Sequence, residues 1–257
     1  MSSGLSSTND PALNILEIFS LRVGGQEIEI PAIPRSLLSH VAVNGRTIDR
    51  RRLTQILWPG LGAAAATKRL RQILWRLRSA TEVPLLEVND LTISLLPNVR
   101  VDWETAEAEA RAVVSSGAIR ADSPGAPVWR LFALPLMSDH DCDCATGRAA
   151  QLQWDHLRFT ALQIVAEEMM AAGEAMPAVE HATAGIRVDE FSEWPYRIIA
   201  QAHQERGDLG LAAKVMERYD DLQRARRRFS AATGHRFQPA RPNRVPAARR
   251  APVAEKD

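Results

Sequence analysis

Residues 63–78 read AAAATKRLRQILWRLR, and the spacing of the apolar residues here decides how the chain around it is read. At about 100° per residue, Ala66, Leu70, Ile73, Leu74 and Leu77 fall on one stripe. The stripe predicts one continuous helix over 63–79 with Leu70, Ile73, Leu74 and Leu77 buried. Lys68, Arg71, Gln72 and Ser79 fall opposite it, flanked by Arg69, Arg76 and Arg78. The stretch holds five cations and no acid. A helix that packs one face and keeps an uncompensated basic face on the other needs an anionic partner, and DNA phosphate is the commonest. The plainer alternative is a charged face that only meets water. The missing acids and the flanking segments count against it.

The segments before and after the helix extend the reading. Asp49 is a good N-cap for a helix over RRRLTQIL (50–57), which stops before Trp58-Pro59-Gly60. Two helices joined by a short glycine-containing turn, the second of them basic, make a helix-turn-helix. Leu85–Val88 and Leu91–Leu96 around Asn89-Asp90 predict a hairpin, which makes the motif winged. Upstream, Ile15–Val23 and Glu27–Ile30 flank Gly24-Gly25 and predict another hairpin. Leu37, Leu38 and Val41 give a short helical stripe closed by Asn44-Gly45. Residues 1–13 are serine-rich and are expected to be disordered.

From Val101 onward the pattern is helical only. A 34-residue echo runs near the C-terminus: Gly173-Glu174 recurs as Gly207-Asp208, Ala178 as Ala212 and Ala182 as Met216. That is the period of tetratricopeptide helix pairs. Val128–Phe159 is expected to supply helices of an earlier, divergent unit. Residues 115–127 read as a loop, and the basic, proline-containing residues 237–257 as a disordered tail. The expected fold is therefore mainly α with a small β component. A winged helix-turn-helix domain (14–98) is followed by a tetratricopeptide-like α-helical domain (99–236).

Composition is consistent with two such parts. The 257 residues are 46% hydrophobic and 25% charged, and the formal net charge of +1 hides an asymmetry. Residues 14–98 hold 11 basic and 7 acidic residues, while residues 99–236 hold 16 and 21. Opposite signs suggest different partners for the two parts. No apolar run reaches the ~18–20 residues that span a bilayer. The N-terminus, MSSGLSSTND, lacks the order of a signal peptide, so a cytoplasmic protein without membrane contact is expected. Cys142 and Cys144 make no disulfide framework. The stretch His140-Asp141-Cys142-Asp143-Cys144 resembles a metal cluster but lacks a second ligand pair at finger spacing, so no metal is expected. His40, His156, His181, His203 and His235 share no obvious site. The chain has no P-loop, no G-x-S-x-G and no H-E-x-x-H, so neither catalytic residues nor a cofactor are expected.

The candidate DNA-binding residues follow from the helix. Arg71 and Arg76 suit bidentate contact with guanine, and Gln72 suits adenine. Lys68, Arg69 and Arg78 suit phosphate contact at the helix start and flanks. Trp75 lies on the polar side and suits a thymine methyl, a deoxyribose or, the favoured reading, packing against the wing. Arg50, Arg51 and Arg52 stand in the first turn of the preceding helix, where three cations oppose the helix dipole. Phosphate proximity is one reason to keep them there, and simple solvation of an exposed turn is the other.

The runs RRRLTQILWPG, LRQILWRLR and LLEVNDLTISLLPNVRVDW resemble the Streptomyces antibiotic regulatory protein (SARP) family over about residues 14–236. The resemblance is specific in the first half and looser in the second. It implies an OmpR-type winged helix joined to a tetratricopeptide-like bacterial transcriptional activator domain. It also implies a transcriptional activator that binds repeated half-sites on double-stranded DNA as a homodimer and contacts RNA polymerase. Lys68, Arg76 and Arg78 match positions that touch DNA in that family. Three features depart from it. The wing tip is Asn89-Asp90 where a cation is common, an expected proline is absent from Asp189-Glu190-Phe191-Ser192-Glu193, and Ser138–Cys144 replaces a Trp-rich helix start. The acidic wing tip leaves a second reading open, a protein-binding adaptor whose winged helix serves protein contact.

Overall fold

The computed structural model describes residues 10–120, 122–138 and 144–233. The stretch that decides the fold forms one helix, α3, Ala63–Thr81, which with α2, Arg50–Leu57, makes up the two helices of the helix-turn-helix. Asp49 caps α2 as its sequence position suggests, its Oδ1 accepting from the Arg52 N–H at 2.9 Å. The predicted stripe of α3 is buried at Ala66, Leu70 and Leu77 and continues to Thr81. Ile73 and Leu74, expected to be buried, are only half-buried, because they lie at the two margins of the stripe. Beneath α3 lies α1, Ala32–Val43, whose Leu37, Leu38 and Val41 are fully buried.

The wing is a three-stranded sheet. Strands β5, Leu86–Val88, and β6, Thr92–Leu95, form the expected hairpin. A strand that periodicity does not announce, β4, Thr47–Asp49, pairs with β6 at Ile48↔Ile93 and fixes the wing to the start of α2. The N-terminal hairpin also belongs to a larger sheet. Strands β1, Ala12–Asn14, β2, Ser20–Val23, β3, Gln26–Glu27, and β7, Arg100–Val101, run in the order β3-β2-β1-β7, with β7 parallel to β1. The N-terminal expectation is corrected here: order starts before residue 14, and Leu13 is completely buried.

The second half is helical: α4, Asp102–Ser116, α5, Ala126–Trp129, a 3-10 turn over Arg130–Ala133, α6, Ala145–Ala171, α7, Ala175–Val188, α8, Glu193–Glu205, and α9, Leu209–Thr233. The 34-residue echo is a repeat of geometry. Gly173 and Gly207 both take φ of 80°, a left-handed conformation open to glycine. Each turn then closes alike, the Glu174 N–H donating to Met169 O at 2.8 Å and the Asp208 N–H to His203 O at 2.9 Å. Ala178 and Ala212 are both buried, so the helix pairs approach closely at matching points. Gly185 permits another close approach, since a Cβ there would stand 2.5 Å from the Trp194 ring. The turn between α7 and α8 survives without its proline because the Asp189 Oδ1 accepts from the Phe191 N–H at 3.0 Å.

The halves share one core. Asp102, the first residue of α4, accepts from the Ile15 and Leu16 N–H groups at 2.9 and 3.2 Å. Burial pushes its carboxyl up, with these N–H donors pulling the other way. Leu16 bridges to Leu136, and the Met137 N–H donates to Ile15 O at 2.8 Å. Arg46 reaches from the end of α1 to Glu104 at 2.5 Å and to the carbonyls of Leu96 and Val99. Cys144 caps α6, its Sγ 3.7 Å from the Nε2 of buried His40 on α1.

Candidate nucleic-acid interface

The outward face of α3 is built by the packing of its other face. Leu70 and Leu77, almost fully buried, fix the helix rotation. Lys68, Arg69, Arg71, Gln72, Arg76 and Arg78 are then all exposed, as is Ser79. Among the described residues no ion pair engages any of the five cations of α3. The helix carries no acid in its first turn, and Gly62, its N-cap, supplies no side chain. The result is a positive surface that no described residue neutralises by an ion pair.

The three arginines at the start of α2 divide. Arg50 is half-buried, and its Nη1 donates to the Asn89 carbonyl in the wing at 2.7 Å, while its N–H donates to Leu91 O at 2.9 Å. Arg50 therefore ties α2 to the wing tip. Arg52 is exposed and leans toward α6, its Nη2 3.4 Å from the Thr146 hydroxyl. Arg51 is exposed. Of the three, Arg51 has the clearest path to an external anion.

The wing tip is organised by Asn89. Its side-chain oxygen accepts from the Leu91 and Thr92 N–H groups at 2.9 and 2.7 Å, a local turn that presents Asp90 and Leu91. Leu91 is 73% exposed. Trp75 overturns the favoured sequence reading. It does not pack against the wing but stands 68% exposed on the outward face of α3. Amphipathic periodicity marks the polar side of a helix but not what an aromatic residue placed there meets, so its exposure was not legible beforehand.

Among the described residues no group of three or more His, Cys, Asp or Glu is arranged to hold a metal ion; residues 139–143 of the His-Asp-Cys stretch lie outside them. Among them also, no helix is long and apolar enough to cross a membrane.

No family model matches the sequence, and no curated protein sequence matches it. The fold is similar to that of Mycobacterium tuberculosis EmbR, solved in complex with a low affinity phosphopeptide. The TM-score is 0.61 at 16% identity, with 90% of this chain covered. The chain matches 62% of the EmbR chain's length. The likeness is one of architecture: a winged helix followed by a helical domain.

Proposed function

We propose that this protein is a sequence-specific transcriptional regulator that binds double-stranded DNA through α3. The observation that carries the reading is the outward face of α3, five cations with no acid and, among the described residues, no ion pair, on a helix locked by its buried stripe. The architecture shared with EmbR and the resemblance to the SARP family support it. In this reading Arg71, Gln72 and Arg76 meet base edges, while Lys68, Arg69, Arg78 and Arg51 meet phosphates. Arg50 positions the wing, and Arg52 lies at the edge of the contact.

The finer form of the proposal is an activator. The acidic helical half would repel DNA, and stacked helix pairs offer a surface for protein. RNA polymerase and a second copy of this chain are the partners the SARP resemblance implies, on repeated half-sites in the cytoplasm. Binding should weaken with salt at a log–log slope of roughly −0.9 per neutralised phosphate. Two half-sites about 10–11 bp apart should bind the full chain more tightly than the same half-sites shifted by about 5 bp, because the shift turns one to the other face of the duplex. A gel-shift series that varies spacing and salt tests both. Affinity indifferent to salt would remove DNA as the partner; affinity indifferent to spacing would remove pairing.

One observation favours the adaptor reading. The wing presents Asp90 and the exposed Leu91 where a DNA-binding wing commonly carries a cation. A shallow salt slope together with an undisturbed fold is the result that favours it.

A further inference from the structure

We infer that Trp75 reads the 5-methyl group of a thymine in the major groove, which makes it a specificity-determining residue. The inference rests on the proposal that α3 lies in DNA. Trp75 is 68% exposed near the middle of the outward face. On the helical wheel it falls between Arg71 and Lys68, away from Leu70 and Leu77. Its neighbours one turn back and one turn on are Arg71, Gln72, Arg78 and Ser79, all exposed. Any duplex that the cations of α3 grip must therefore meet the indole ring as well.

What the ring can do there is set by its chemistry. It has no charge to offer a phosphate. Its large apolar area gains by leaving water, and it carries one N–H donor. Among the groups that base pairs expose in the major groove, the thymine methyl is the distinct apolar one, and it sits beside the O4 acceptor of the same base. An apolar ring flanked by Arg71 and Gln72 adds a term to recognition that neither of them supplies. This term releases no counterions, so it changes sequence preference without changing salt dependence. A cation at the same position would change both.

The test uses the full chain. Preferred sites of the wild type and of Trp75→Ala are selected from a random duplex pool. Each thymine of the wild-type site is then replaced in turn by deoxyuridine, which removes only the methyl group. One thymine in each half-site should be sensitive, its replacement weakening the wild type about four-fold, the value of one buried methyl-sized group. Trp75→Ala should ignore that replacement, select no base strongly at that position and keep the wild-type salt slope. Trp75→Phe should retain part of the preference. Matching thermal unfolding of the variants and the wild type controls for folding. Three results would overturn the inference while DNA binding stands: tolerance of deoxyuridine at every position, a sequence-blind loss in Trp75→Ala that signals a sugar contact, or an unchanged site preference. A wild type that binds no duplex in a salt-dependent way overturns the proposed function itself, and the inference with it.

Discussion

Both halves of the molecule display arginine-bearing helices, and they treat the positive charge in opposite ways. In the helical half the protein supplies the partner for several of its arginines. Arg158 on α6 is 4% exposed; its Nε donates to Asp155 at 2.7 Å and its Nη1 to the carbonyls of Phe132 and Ala133 at 3.3 Å. Arg197 pairs with Glu167 across α8 and α6, and Arg224 pairs with Asp221 on α9. In α3 no described residue supplies an ion-pair partner, although the helix is anchored by its buried Leu70 and Leu77. The same residue type is therefore structural at Arg158 and held ready along α3. Acid within reach decides between them, and helix propensity does not.

The contrast can be broken most severely at its anchor. Leu70→Ala should destabilise the chain by about 2–5 kcal/mol, the usual cost of a buried leucine truncation, measured by chemical denaturation. A loss below about 1 kcal/mol would mean that the stripe does not hold α3. The matching test in the helical half is Gly185→Ala, whose new Cβ must displace the Trp194 ring or the helix that carries it. Overpacking of this kind costs about 1–3 kcal/mol. Because α3 is remote from that contact in sequence and role, the salt slope of DNA binding should not change.

Deleting arginines then sharpens the comparison. Arg158→Ala leaves two backbone carbonyls short of a donor and should cost about 1–3 kcal/mol of stability. Arg76→Ala should leave stability within about 0.5 kcal/mol, weaken binding to a preferred site by about 1–3 kcal/mol and relax one base position. Lys68→Ala should weaken all sequences alike and lower the salt slope by about one. Identical, sequence-blind losses for the last two would reassign Arg76 to phosphate.

The smallest expected effect is a pH dependence confined to the helical half. Burial on α7 pushes the His181 imidazole below its usual range, with Glu180 acting the other way and Arg130 adding to the depression. The folded state thus takes up a proton less readily than the unfolded state. Stability from this group is present above the ordinary histidine value of about 6.5 and falls as pH drops below it. Urea midpoints at pH 7.5 and pH 5.5 should differ in that direction, and His181→Gln should reduce the difference. Asp102 works in the opposite sense and in a lower window. Its raised carboxyl favours the folded state at acid pH, and that gain is lost as pH rises from about 3.8.

What could be read from the chain was whatever repeats at a fixed spacing or is set by a local turn. The stripe of α3, the Asp49 cap, the wing around Asn89-Asp90 and the 34-residue echo all follow from local periodicity and turn chemistry, which residues impose on their own neighbours. The cationic face came with the stripe, because fixing one side of a helix fixes the other. The tertiary structure decided the rest. Strands β1, β4 and β7 have two or three residues each, too few for alternation to show, and β4 and β7 exist through partners far along the chain. The join between the halves depends on Asp102 meeting Ile15 and Leu16, and on Arg46 meeting Glu104, pairings that carry no local signal. The burial of Arg158, the diversion of Arg50 to the wing and the exposure of Trp75 are likewise settled by which surfaces meet. An isolated residue states its chemistry; only the packed neighbours determine whether that chemistry is spent inside the protein or offered to a partner.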